Sequence, residues 1–104
     1  MRSRKAARAW LERQNNGQLT LGQLLLSIRE GEGASQVDFA ARLGLSRSHL
    51  CDLEKDRKPI SPERAVRLAA ILGYSERQFV RLAINAQLAR AKLPYVVTLD
   101  PAAA

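Results

Sequence analysis

Arg47, Ser48 and Asp52 are three side chains fit to read a nucleic-acid base, set within one short stretch of chain. A guanidinium offers a fork that fits guanine O6 and N7, and a serine hydroxyl pairs with several base edges. A carboxylate accepts only from an amino group such as cytosine N4. Lys55, Arg57 and Lys58 follow closely and are suited to phosphate rather than to bases.

Such residues are useful only if an element holds them outward, and the flanking sequence supplies one. Ser35 is a helix cap, and Val37, Phe39, Ala40 and Leu43 follow at mostly helical spacing, with Gly44 where the chain must leave that helix in a left-handed conformation. Leu45 is expected to turn inward. Ser46 then caps a second helix running to about Lys55, with Leu50 and Leu53 as its single apolar stripe. That stripe leaves Arg47, Ser48, Cys51, Asp52 and Lys55 facing out. Two helices joined by a tight turn are the helix-turn-helix arrangement, whose second helix can enter the major groove of DNA.

Residues from about Leu21 to Phe79 resemble the Cro/C1 (XRE-type) helix-turn-helix family of bacterial and phage repressors. The matching features are Ile28-Arg29, Ser35-Gln36, Phe39-Ala40, Leu43-Gly44, Ser46-Arg47, Leu50, Leu53-Glu54, Leu68-Ala69 and Leu72-Gly73. The resemblance implies that Gln36 and Ser46 contact phosphate, that Arg47 and Ser48 enter the groove, and that Lys55 with the basic loop after it holds the backbone. It also implies an ion pair between Arg29 and Glu54 beneath the reading helix. Asp52 departs from the family pattern, where a donating residue such as Gln is frequent; an acid there either selects a cytosine or only discourages wrong sites.

The composition agrees with such a partner. The chain has 104 residues, 17 of them Lys or Arg against 10 Asp or Glu, for a net charge of +7 and a pI near 10.5. That balance favours polyanions through phosphate neutralisation and counterion release. A chain this short fits one domain, for which a dimer interface would add useful apolar burial. Cys51 is the only cysteine, so neither a disulfide framework nor a thiol cluster for zinc is expected. No apolar run approaches the ~18 residues of a membrane span and no secretory leader is visible, so the expected location is the cytoplasm.

The remaining segments frame this core. Residues 1–17 form a basic arm containing Arg2, Arg4, Lys5, Arg8 and Arg13, which either reaches DNA or is a terminus anchored by Trp10 and Leu11. Thr20 and Gln23 make a capping box for a helix that buries Leu21, Leu24, Leu25 and Ile28 and ends at Gly31 and Gly33. Ser61-Pro62-Glu63 opens a helix to Leu72 with Ala65, Leu68, Ala69 and Leu72 inward. Ser75 and Gln78 form another capping box for a long last helix, to about Lys92. Val80, Ile84 and Leu88 on that helix exceed what one buried stripe requires and are candidates for a dimer interface. Tyr95 to Leu99 reads as a short strand, whose unpaired edge would take a partner strand, with Tyr95 and Val97 at the same interface.

His49 has no second base or ligand arranged around it, and a phosphate contact suits it better than catalysis. Cys51 reads as a small filler, with a redox switch as the alternative. Asp52, Glu54 and Asp56 lack the glycine and spacing of a calcium loop. Neither an enzyme nor a cofactor or metal is therefore expected. The resulting reading is an all-α, five-helix repressor-like chain: an arm over 1–17, a helix-turn-helix domain over 18–92, and a strand and tail over 93–104. Its expected partners are double-stranded DNA and a second copy of itself. The alternative is an antitoxin that neutralises a toxin through the arm and the C-terminal strand.

Overall fold

The computed structural model describes residues 19–102, so the expectations for the basic arm lie outside the described residues. Among those residues the chain forms five helices: α1 (Leu21–Glu32), α2 (Gln36–Leu43), α3 (Arg47–Glu54), α4 (Pro62–Leu72) and α5 (Glu76–Arg90). They divide between Lys58 and Pro59 into two compact units. The first unit holds α1 to α3 and the loop after α3; the second holds α4, α5 and the tail.

In the first unit each helix begins at a side chain chosen for the purpose. Thr20 Oγ1 accepts from the Gln23 backbone N–H at 3.0 Å, and Gln23 Oε1 accepts from the Thr20 N–H at 3.0 Å, completing the capping box. Leu19 and Leu24, which flank the cap at the positions of a hydrophobic staple, are both buried. Leu21, Leu25 and Ile28 join them in the core. Of the two glycines expected to end it, the helix runs through Gly31 to Glu32 and is closed by Gly33 in the left-handed conformation, at φ 68.

Ser35 caps α2 by accepting from the Asp38 N–H, and Phe39, Ala40 and Leu43 are buried. Val37 is not: it is 59% exposed. It falls roughly 100° round the helix from the centre of the Phe39–Ala40–Leu43 stripe, which is why the spacing carried it outward. Gly44 takes φ 71, so the chain turns directly into the cap of α3 without the cost a β-carbon would impose there. Ser46 caps α3 by accepting from the His49 N–H at 3.0 Å, and Leu50 and Leu53 are fully buried. α1 and α2 both pack on α3.

In the second unit Ser61 caps α4, Pro62 stands in its first turn, and Ala65, Leu68, Ala69 and Leu72 are buried as the pattern predicts. Ser75 caps α5 by accepting from the Gln78 N–H, and Phe79, Leu82 and Ala83 are buried. α4 packs on α5, and the Tyr74 ring stacks on Phe79 with centroids 6.0 Å apart. α5 ends at Arg90, with Lys92 at φ 59 turning the chain away.

The expected C-terminal strand is corrected by the structure: residues 93–102 contain no strand. The Val97 N–H instead donates to Asn85 Oδ1 on α5 at 2.7 Å. A run of β-favouring residues becomes a strand only against a partner ladder; here a side-chain amide of the neighbouring helix satisfies the backbone donor instead.

Candidate nucleic-acid interface

Helix α3 is anchored at its C-terminal end by an ion pair with little contact to water. Arg29 Nε donates to Glu54 Oε2 at 2.7 Å and its second terminal nitrogen to Oε1 at 3.2 Å, with side chains 15% and 3% exposed. Gln36 Nε2 donates to the same Oε1 at 3.0 Å, and another Arg29 nitrogen donates to the Ala34 carbonyl at 3.1 Å. One carboxylate of α3 thus gathers donors from α1 and from the first residue of α2. A buried charge with several hydrogen bonds fixes geometry, because leaving any of its partners unpaired is expensive.

A second anchor was not visible in the sequence. A β-carbon at Gly22 would collide with the Leu53 carbonyl oxygen and lie 2.5 Å from Asp56 Oδ1, so the absence of a side chain lets α1 approach the backbone of α3. At the same place α3 closes in a Schellman motif, with Asp56 N–H donating to Leu53 O at 3.1 Å and Arg57 N–H to Asp52 O at 2.8 Å. The left-handed residue of that motif is Asp56, at φ 58, where glycine is usual. Its carboxylate accepts from the Thr20 hydroxyl at 2.9 Å. A glycine inside a helical pattern was the available signal, but what it packs against is a long-range property.

Held at this end, α3 presents its first turn. Arg47 and Ser48 are exposed, and neither side chain has a hydrogen-bond or ion-pair partner among the described residues. Their backbone N–H groups belong to the unpaired first turn, at the positive end of the helix dipole, which suits a phosphate or base acceptor. Ser46 spends its oxygen on the His49 N–H and keeps its own hydrogen to donate. Gln36 has one amide hydrogen on Glu54, leaving the other for a phosphate. His49 and Cys51 are half-buried, and Lys55 is exposed just past the helix end.

Asp52, Arg57 and Lys58 are brought together. Arg57 Nη1 lies 3.4 Å from Asp52 Oδ1, and Lys58 Nζ lies 3.4 Å from Oδ2. From the sequence alone Asp52 either selects a cytosine or only discourages wrong sites, and Arg57 and Lys58 are backbone anchors with no stated link to it. The reversal of the chain at Asp56 joins them.

The candidate dimer residues lie in the second unit. Val80, Ile84 and Leu88 are half-buried, four residues apart along α5, and so share one face. Val97 is half-buried, whereas Tyr95 and Val96 are 66% and 60% exposed. Among the described residues no helix is long and apolar enough to cross a membrane, and no group of three His, Cys, Asp or Glu is placed to hold a metal ion.

Comparison with known proteins gives two results. A family model described as "Helix-turn-helix" matches residues 25–79, which run from α1 into α5. The immunity repressor protein of Bacillus phage phi105 is 38% identical over 55 residues, which are 53% of this chain and 38% of that protein. The chain therefore spans less than two fifths of the length of this curated relative. No solved structure matches significantly.

Proposed function

This chain belongs to the Cro/C1-type helix-turn-helix family, and from that premise we propose that it is a sequence-specific DNA-binding transcriptional repressor. The observation that carries the proposal is the state of α3. Its first turn offers Arg47 and Ser48 without partners, while its last turn is fixed by Glu54 to Arg29 and Gln36 and by the close approach at Gly22. A rigid helix with an uncommitted polar N-terminus is what direct readout in a major groove requires.

In this reading Arg47 and Ser48 contact base edges. Ser46, Gln36, His49 and Lys55 contact phosphate, and Arg57 and Lys58 hold the backbone further along. The protein acts in the cytoplasm as a homodimer on an inverted repeat, with half-sites ~34 Å apart, and represses by occluding a promoter. The α5 face of Val80, Ile84 and Leu88 and the exposed Tyr95 supply apolar surface for the second copy. The likeness to a phage immunity repressor supports the regulatory part of this reading.

The exposed apolar residues of the tail, Leu93, Tyr95 and Val96, also favour a second reading, an antitoxin whose tail engages a toxin. A second small protein co-purifying in equal amounts would select it.

Titration of the full chain against duplex DNA over a series of salt concentrations, with sedimentation to count subunits, tests the main reading. Two subunits per duplex and a linear fall of log affinity with log salt are expected. Absence of duplex binding, or a monomer on DNA, would contradict it.

A further inference from the structure

Asp52 lies in the last turn of α3, on the side away from Leu50 and Leu53, yet its side chain is only 24% exposed and has two cations beside it. The arrangement is built by the backbone. The Schellman closure with Asp56 in the left-handed conformation carries the chain back over the helix end, so that Arg57 and Lys58 each face one carboxylate oxygen. Both cations remain more than half exposed, at 59% and 57%.

Pairs this exposed contribute little to folding, and they open at little cost. Their consequence for a polyanion is larger. Each cation that would neutralise a phosphate already has an oxyanion beside it, and an incoming phosphate must either displace that oxyanion or share the cation with it. A base presenting an amino group to Asp52 would give the released carboxylate a new donor; a base presenting only acceptors would not.

We propose that Asp52 is an internal stand-in for phosphate, which occupies Arg57 and Lys58 until a matching base pair takes the carboxylate and so suppresses binding to non-cognate DNA more than to cognate DNA. This rests on the DNA-binding reading given above. It makes Asp52 a specificity-determining residue acting through the two loop cations, in addition to any base contact of its own.

The test uses the full chain as wild type, Asp52→Asn, the double variant Arg57→Ala/Lys58→Ala, and all three changes together. Each is titrated by fluorescence anisotropy with a labelled duplex of scrambled sequence across a salt series, and circular dichroism checks that each variant is folded. Asp52→Asn should bind the scrambled duplex about tenfold tighter near 0.1 M salt, with a slope of log affinity on log salt steeper by up to about 0.9 per released cation. Without Arg57 and Lys58, the same Asp52→Asn change should bring only the small gain of one lost negative charge, with no change in slope.

The proposal is overturned if Asp52→Asn leaves affinity and slope unchanged, or if its gain is the same without Arg57 and Lys58, which would make it a simple net-charge effect. Absence of salt-dependent duplex binding by every variant is a different result: it would overturn the DNA-binding reading and this proposal with it.

Discussion

The Thr20 hydroxyl donates to Asp56 Oδ2 at 2.9 Å while accepting from the Gln23 N–H at 3.0 Å. A single side chain therefore starts α1 and holds the left-handed residue that ends α3. Thr20→Val keeps the shape and removes both bonds, and should cost about 1 to 2 kcal/mol, the range of a lost cap. Thr20→Ser, which keeps the hydroxyl, should stay within about 0.5 kcal/mol of wild type. Urea unfolding followed by circular dichroism measures both; equal losses for the two variants would remove the hydroxyl from the account.

Gly22 lies in the first turn of α1, where alanine would ordinarily raise helix stability by about 0.5 to 1 kcal/mol. The opposite is expected here, because the added carbon meets the Leu53 carbonyl and Asp56. Gly22→Ala should lower stability by about 1 to 3 kcal/mol. A stabilised variant would mean that α1 and α3 do not approach as described.

Glu54 serves three donor groups on two residues, and Arg29 has little water to fall back on. Glu54→Ala should cost about 3 to 5 kcal/mol, a large part of a small domain's stability. In a double-mutant cycle, adding Arg29→Met to Glu54→Ala should cost much less than Arg29→Met does in the wild-type background. Additive losses would mean that the pair is not coupled.

These anchors also show what the amino-acid sequence made legible. The caps at Thr20, Ser35, Ser46, Ser61 and Ser75 are local chemistry, since a side-chain oxygen reaches a backbone N–H three residues on, and each starts a helix where the pattern placed it. The pairing of Arg29 with Glu54 was available only through family resemblance, because nothing in a spacing of 25 residues states it. Gly22 and Asp56 were illegible for a related reason: the role of each exists only where α1 meets the end of α3. The pairing of Asp52 with Arg57 and Lys58 depends on that same reversal. Tyr95 to Leu99 failed in the other direction, since β propensity is local but a strand needs a neighbour, and Asn85 took the Val97 N–H first.

Ser27 sits on the buried face of α1, and its hydroxyl oxygen has no hydrogen-bond partner among the described residues. Burying a hydroxyl without compensation opposes folding. Ser27→Ala should therefore raise stability by about 1 kcal/mol, read as a higher urea midpoint with an unchanged slope. A loss of similar size would show that the hydroxyl is bonded in solution.

Whether α3 reads sequence through its first turn is decided by selection from a pool of random duplex DNA at near-physiological salt, with sequencing of the bound fraction, for wild type and Arg47→Ala in parallel. Wild type should enrich an inverted repeat, and Arg47→Ala should lose preference at one symmetric pair of positions, worth about 1 to 3 kcal/mol per contact, with the rest of the motif retained. Strong, salt-sensitive binding that enriches no motif, or a motif that Arg47→Ala leaves unchanged, would show that α3 does not read sequence in this way.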